Sequence, residues 1–309
     1  MEITSQHPLV SVAVIAYNSA EYILETLESI KAQTYDNIEL IVSDDCSTDG
    51  TVEICRKWIE NNKSRFVDAR IVESPVNTGQ SGNYNRAFDA CKGEWIKEID
   101  GDDRLLPHCI SDFIEFTHTH PEAQCIFGKI QYIGGTPELR DIYLREHFDY
   151  DFFSLPKEKQ FRRLLLNGNC IPSPGYFYNK SYIQHMGVTN DERIPHLEDY
   201  PKWINLLKKG VTFFFMDQFV AEYRLGSGVS TQNKISPLSY KSLQLFKIYY
   251  LYPELIAMGE EERINHEAAE LANVYAQKLS AEHARESLSY RIGRCILSPL
   301  RQISKCFHR

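Results

Sequence analysis

No C-x-x-C pair occurs among the eight cysteines, which excludes the common zinc and dithiol-redox signatures. Cys46, Cys55, Cys91, Cys109, Cys125, Cys170, Cys295 and Cys306 mostly sit in apolar stretches and read as reduced thiols of a cytoplasmic protein. No run of about 18 apolar residues is present, so no transmembrane helix is predicted. Residues 1–8 are polar and lack the apolar core of a secretory leader. A basic excess is also missing: 34 Lys/Arg face 42 Asp/Glu, a net charge of -8, which argues against general nucleic-acid binding. There is no internal repeat and no low-complexity linker. What remains is an ordinary globular balance, 309 residues with 43% hydrophobic and 25% charged, enough for one large domain with an appendage.

Short β-branched runs alternate with amphipathic stretches through the first part of the chain. Residues 9–16, 38–43, 69–72, 94–99 and 124–133 read as strands, the first two apolar enough to be buried on both faces. Helical spacing falls between them, at Tyr22 to Ile30, Val52 to Ile59, 79–91 and 109–117. This alternation predicts an α/β fold with a doubly wound, mostly parallel sheet flanked by helices. Ligands bind such sheets at the C-terminal strand ends. Three polar clusters follow strands here: Tyr17-Asn18, Asp44-Asp45 and Asp100 to Asp103.

Beyond residue 134 the alternation stops. Residues 134–156 read as irregular, 157–167 and 182–186 as helical, and a further helix carries Trp203, Ile204, Leu206 and Leu207. Residues 211–216 and 219–223 read as two strands, 224–230 as a Gly/Ser loop, and 240 to about 290 as helical with a break near Tyr252-Pro253. The expected organisation is a domain over 1–235, its nucleotide-binding half at about 8–133 and its acceptor half at about 134–235, followed by a helical extension over 236–309.

Asp100-x-Asp102 at a strand end suits a hard divalent cation, which takes oxygen ligands. Mg²⁺ or Mn²⁺ held this way also accepts phosphate oxygens and neutralises a diphosphate leaving group. The plain alternative is a solvated turn, since Asp and Gly are ordinary turn residues. Asp44 or Asp45 could accept the imide N–H of uracil, while Ser47, Thr48 or Asp49 caps the next helix. Tyr17-Asn18 divides between ring stacking and capping, with Glu21 placed as in a capping box from Asn18. Asn77-Thr78-Gly79 opens a helix whose free N–H groups attract anions, or is a simple loop-to-helix transition.

Taken together, residues 11–18, the Asp44-Asp45-x-Ser-Thr-Asp-Gly-Thr run, Asn77-x-Gly79 and Asp100-x-Asp102-Asp103 resemble, in order and spacing, the family 2 glycosyltransferases of GT-A fold. The resemblance spans roughly residues 8–230. It implies inverting transfer from a UDP-sugar, with Mn²⁺ or Mg²⁺, of a hexose or N-acetylhexosamine to a saccharide acceptor on a membrane lipid carrier. It also implies that Ala16, Tyr17 and Asn18 line the nucleoside pocket, that Asp45 with Asp44 meets the base, and that Asn77, Gly79 and Asn85 lie on the donor side. Asp100 and Asp102 match the metal motif, with Asp102 as the direct ligand and Asp103 supporting the turn. Glu198-Asp199 matches the acceptor-side acid pair, Asp199 as general base and Glu198 as orienting group; the alternative is favourable charge at a helix N-terminus. Arg224, before the Gly/Ser loop, matches a basic residue that reaches the diphosphate; alternatively it is a surface arginine. One position departs from the family: Tyr84 stands where an arginine is usual, and Arg86, one residue past Asn85, is expected to point elsewhere.

Residues 285–309 carry six Lys/Arg against one acid, and Leu288, Ile292, Ile296, Leu300, Ile303 and Phe307 form one helical stripe that Pro299 should kink. Such a segment lies on an anionic membrane surface, or packs on the domain or on a second subunit of a homodimer. The expected location is the cytoplasm, peripheral to the membrane. Two rival functions are a metal-dependent nucleotidyltransferase and a non-catalytic nucleotide-sugar-binding module. The first usually has a glycine-rich basic loop after the first strand, where this chain has Tyr17-Asn18-Ser19-Ala20.

Overall fold

The structure is a computed structural model and describes residues 7–146, 149–226, 237–260 and 262–265. Strand β1 (Val10–Ala16) and helix α1 (Ile23–Lys31) are followed by β2 (Ile38–Asp44), α2 (Thr51–Asn62), β3 (Asp68–Glu73) and α3 (Gln80–Ala90). Then come β4 (Trp95–Asp100), a two-residue β5 (Arg104–Leu105), α4 (Cys109–Thr119) and β6 (Cys125–Gly134). The later elements are α5 (Pro137–Glu146), α6 (Lys157–Asn167), β7 (Tyr176–Asn179), α7 (Lys180–Met186), α8 (Asp199–Lys208), β8 (Phe214–Leu225), α9 (Pro237–Phe246) and α10 (Tyr252–Ala257).

The strands form one eight-stranded sheet in the order β3-β2-β1-β4-β7-β6-β8-β5. β3, β2, β1 and β4 are parallel, and every residue of β1 and β2 is buried. That double-faced burial is why both sequences are almost continuous apolar runs. Their valines and isoleucines pack with Ile23 and Leu27 of α1, Cys55 and Trp58 of α2, and Phe113 of α4. One buried charge interrupts the layer: Glu39 on β2 accepts from Ser11 Oγ at 2.5 Å, Lys92 N at 2.8 Å and Arg70 at 2.8 Å. These donors outweigh desolvation and hold its pKa below the ordinary carboxylate value.

The second half departs from the sequence reading in three places. β7 is a strand in a stretch without strand periodicity, antiparallel to both β4 and β6. Its rings do the pairing work: Phe177 stacks between Trp95 and Phe113 at centroid distances of 5.1 and 4.6 Å. The two strands expected over 211–223 are one, β8, and the polar Asp217-Gln218 step that divides the pattern lies where the register with β6 shifts between Gly128 and Ile130. Residues 137–146, expected to be irregular, form α5, whose first turn is closed by Leu139 N donating to Thr136 Oγ1 at 3.2 Å. The break expected near Tyr252-Pro253 is present: a π-helical turn over Lys247–Leu251 separates α9 from α10 in the chain, and Pro253 occupies the first turn of α10.

The chain divides into two compact units, Met1–Tyr250 and Leu251–Arg309. Among the described residues no helix is long and apolar enough to cross a membrane. The tail over 285–309, the Gly/Ser loop from 227 to 230 and the helical reading beyond 265 lie outside the described residues.

Candidate active site

Because β1, β2 and β4 are parallel, their C-terminal ends share one sheet edge. Register puts Ala16 beside Asp44 and Ile15 beside Asp100. The loops leaving β1 and β2 are then laced together. Asn18 takes a left-handed backbone conformation, φ 51°, and its side-chain oxygen accepts from Thr48 N at 2.8 Å. In return Asn18 N donates to Ser47 Oγ at 2.9 Å and Ser19 N to Thr51 Oγ1 at 2.8 Å. These bonds replace the helix cap expected of Asn18: α1 starts at Ile23, and its N-cap residue Tyr22 makes no side-chain cap. Asp49 likewise bridges, accepting from Thr51 N at 2.9 Å and Ala20 N at 3.1 Å. The result leaves the Tyr17 ring half exposed on the rim, 49% accessible.

Asp44 and Asp45 are both buried, and the structure shows how each is used. Asp44 accepts from Ser47 N at 2.9 Å and Ser47 Oγ at 2.5 Å. Asp45 accepts from Thr78 N at 3.0 Å, Gly79 N at 2.8 Å, Thr78 Oγ1 at 2.6 Å and Arg86 Nη2 at 2.9 Å. Gly79 has φ +83°, and a Cβ there would meet Pro195 at 2.7 Å, so only glycine lets this loop pass under the segment leading to α8. Asn77 adds its side-chain oxygen to Gly79 N at 3.1 Å. Arg86 points elsewhere than Tyr84, as the sequence suggests: its side chain reaches Asp45, Thr78 and Asn83, whereas Tyr84 reaches Asp100. Asn85 faces the other way, accepting from Asn190 N at 2.9 Å and donating to Asn190 O at 3.0 Å, so it supports the loop before α8. Asn83, which sequence reasoning missed, donates to Ala16 O at 3.0 Å and fixes the end of β1.

The Tyr84 hydroxyl donates to Asp100 Oδ1 at 2.8 Å, so the departure from the family pattern puts a neutral donor directly on the acidic motif. Burial, and then the charge of Asp102, push Asp100 up to about 7, despite the Tyr84 bond pulling the other way. Asp103 is fully buried and accepts from Arg224 N at 2.8 Å, which ties the turn to β8. Arg224 donates through Nε to Asp102 O at 2.8 Å, pairs with Glu25 at 2.6 Å and lies 4.4 Å over the Tyr22 ring. Its guanidinium is thus spread over the turn's backbone and α1.

Glu198 and Asp199 sit at the start of α8. The helix N-terminus favours anions by about 0.3–1 kcal/mol near the surface. Desolvation wins here: it raises both carboxyls, Asp199 up to about 6, and Asp199 also raises its neighbour Glu198. Asn169 Nδ2 donates to Asp199 Oδ2 at 2.8 Å and Tyr200 N to Oδ1 at 2.6 Å, which fixes the carboxylate plane. Asp199 and Glu198 border the same small cavity as Tyr84, the residue bonded to Asp100, and Asp100 lies close enough to interact with both carboxyls.

The profile of glycosyl transferase family 2 matches residues 11–187. The chain belongs to that family. Relatives extend over most of its length. It is 29% identical to the putative teichuronic acid biosynthesis glycosyltransferase TuaG of Bacillus subtilis, covering 82% of this chain and 90% of the relative. It is 31% identical to the Escherichia coli UDP-Glc:alpha-D-GlcNAc-diphosphoundecaprenol beta-1,3-glucosyltransferase WfaP, covering 76% and 84%. Among solved structures, S. aureus TarS 1–349 in complex with UDP-GlcNAc superposes with TM-score 0.60 at 19% identity, over 79% of this chain and 67% of that one. The GT-A architecture and the glycosyltransferase assignment follow, and the nucleotidyltransferase reading is not favoured. In this family 2 glycosyltransferase the matched span runs from β1 through α7, while the acid pair and Arg224 lie beyond it.

Proposed function

We propose that the chain is an inverting transferase, dependent on a divalent metal, that moves a hexose or N-acetylhexosamine from a UDP-sugar to a saccharide hydroxyl on a lipid-linked intermediate. The observation that supports this reading most is the proximity of Asp100, in the Asp100-x-Asp102 motif, to the Glu198-Asp199 pair, with Tyr84 between them. One relative is named for teichuronic acid biosynthesis, another for a diphosphoundecaprenol-linked acceptor, and a fold neighbour holds UDP-GlcNAc.

The donor set fits a hard cation. Asp100 and Asp102 offer oxygen ligands, and each carboxylate's charge is a cost to the other until a cation joins them. Among the described residues no cluster of three or more His, Cys, Asp or Glu forms a metal cage. Two carboxylates plus substrate phosphates is the usual provision for Mg²⁺. When bound there, Mn²⁺ or Mg²⁺ supplies positive charge against the departing diphosphate.

The chain's own residues do the rest. Tyr17 offers its half-exposed ring to the base, with Ala16 and Asn18 beside it. Asp45, with Asp44, holds the floor of the nucleoside pocket through the Asn77 to Gly79 loop and Arg86. Asp199, oriented by Asn169, takes the proton from the acceptor hydroxyl as its oxygen attacks the anomeric carbon. Attack opposite the leaving diphosphate inverts that carbon. Arg224 acts by bracing the Asp102 backbone, and reaches the diphosphate only if its bond to Glu25 opens. The basic tail over 285–309 is assigned to the cytoplasmic membrane face, where the lipid-linked acceptor lies, or to a homodimer contact.

The direct test is a panel of UDP-sugars incubated with the full chain and assayed for UDP release. One sugar is expected to release UDP with Mn²⁺ or Mg²⁺ and to stop when the metal is chelated; no release from any sugar overturns the reading. Tyr84→Phe removes the donor on Asp100, and a hydrogen bond to a charged group is worth about 1.5–3 kcal/mol. UDP binding in Mn²⁺, read by calorimetry, is expected to weaken at least about tenfold. An unchanged affinity removes Tyr84 as a support of the motif.

A further inference from the structure

A second set of buried charges lies directly beneath the acid pair. Lys202 sits on α8 one turn after Glu198 and Asp199, at i+4 and i+3, and therefore on their face of the helix. It is 4% accessible, and its Nζ lies 3.2 Å from Glu98 Oε2 on β4. Glu98 also accepts from the buried Tyr178 hydroxyl at 2.6 Å. The rings of Tyr178 and Tyr176 lie 4.8 and 5.1 Å from the ammonium. Taking an ion pair out of water costs several kcal/mol per ion, and an apolar pair of similar volume is often at least as stable. The pair is therefore poorly explained as a stability device.

Its surroundings point upward, to the acid pair. A cavity of about 10 Å³, room for one water, is bordered by Lys202, Glu98, Glu198 and Asp199 together. Trp203 and Asn190, which also border it, each carry a buried polar atom with no partner among the described residues: Trp203 Nε1, a donor, and Asn190 Oδ1, an acceptor. Those two groups and the carboxylates supply the polar contacts that a buried water needs.

We propose that Lys202 is a positioning residue for the transfer, its ammonium and one cavity water holding Glu198 and Asp199 in the arrangement that accepts the acceptor's proton. This rests on the transferase reading above. The charge count shows why it matters. Asp199 is faced from its own helix by Glu198, Tyr200 and Lys202, from β4 by Glu98 and Asp100, from α3 by Tyr84 and from β7 by Tyr176. Lys202 is the cation in that group, and it lowers the pKa of both members of the pair against their burial. Glu98 tempers it by neutralising part of its field.

The test titrates the Asp199 carboxyl by ¹³C NMR in the full chain, its signal assigned by its loss in Asp199→Asn. Neither donor nor acceptor is needed, so failure of UDP binding and failure of this inference are separate results. Lys202→Met is expected to raise the Asp199 midpoint by about 1 pH unit or more, the effect of losing a nearby opposite charge. Glu98→Gln keeps an oxygen for Lys202 and an amide that can donate to the Tyr178 hydroxyl, and is expected to lower the midpoint. Opposite shifts are the result a merely structural pair does not produce. An Asp199 midpoint unchanged in both variants overturns the inference. Should Lys202→Met not fold, Glu98→Gln alone decides: a lower midpoint supports the inference and an unchanged one overturns it.

Discussion

Asp199→Asn is expected to abolish transfer while leaving UDP binding in Mn²⁺ within about twofold, since general base catalysis contributes about 10²–10⁴-fold. The substitution is nearly isosteric. Its amide oxygen still accepts from Asn169 or from Tyr200 N, so the start of α8 keeps its shape. What is lost is the capacity to take a proton. The wild-type pH profile carries the same information. Asp199 works as the ionised base, and burial raises its pKa to about 6. Turnover is therefore expected to rise with pH through that region and to fall as the carboxyl protonates below it. Steady-state rates from pH 5 to 8, in steps of about half a unit, check the limb against the unperturbed Asp value near 3.9. Retained turnover in Asp199→Asn removes this residue as the base and transfers the role to Glu198.

The second large effect is expected at Asp102. Asp102→Asn keeps the backbone carbonyl that Arg224 grips at 2.8 Å, so the turn should survive. It removes one of the two carboxylates that suit the cation. Lewis-acid stabilisation of a leaving group is worth several kcal/mol, so turnover should fall about 10³-fold. Calorimetry should show UDP affinity that no longer depends on Mn²⁺. Asp103→Asn is a useful contrast. Asp103 is buried under the turn, so its loss should appear as a lower melting temperature as well as weaker binding.

How far these features were legible in the sequence depended on what each element touches. β1 and β2 could be read directly because burial on both faces writes a continuous apolar run, and the polar residues after them follow from strand direction. β7 could not, because four residues in a Pro/Gly stretch show no period; their place is set by Trp95 and Phe113, distant in sequence. The single β8 was hidden by Asp217-Gln218, whose polarity is absorbed by a register shift that only the partner strand reveals. At the site, the acidic motif and the acid pair were visible as charges at element ends. Arg86 points away from the acidic motif as its place on the helix implies, but its partner Asp45 lies on another element and cannot be read from α3 alone. Tyr84 was recognised only as a departure; its bond to Asp100 crosses from helix to strand. Glu98 and Lys202 form a pair only through the sheet-to-helix packing, although a charge inside the buried run of β4 was a signal that could have prompted the search.

The central claim is that Asp100 and Asp102 form a metal-dependent site for a nucleoside diphosphate. Calorimetric titration of UDP into the full chain, with Mn²⁺ and again with the metal chelated, tests it most directly. The account predicts saturable one-to-one binding with Mn²⁺ that weakens at least tenfold (roughly 1.4 kcal/mol) on chelation. Equal affinity in both conditions, or no binding in either, would contradict it.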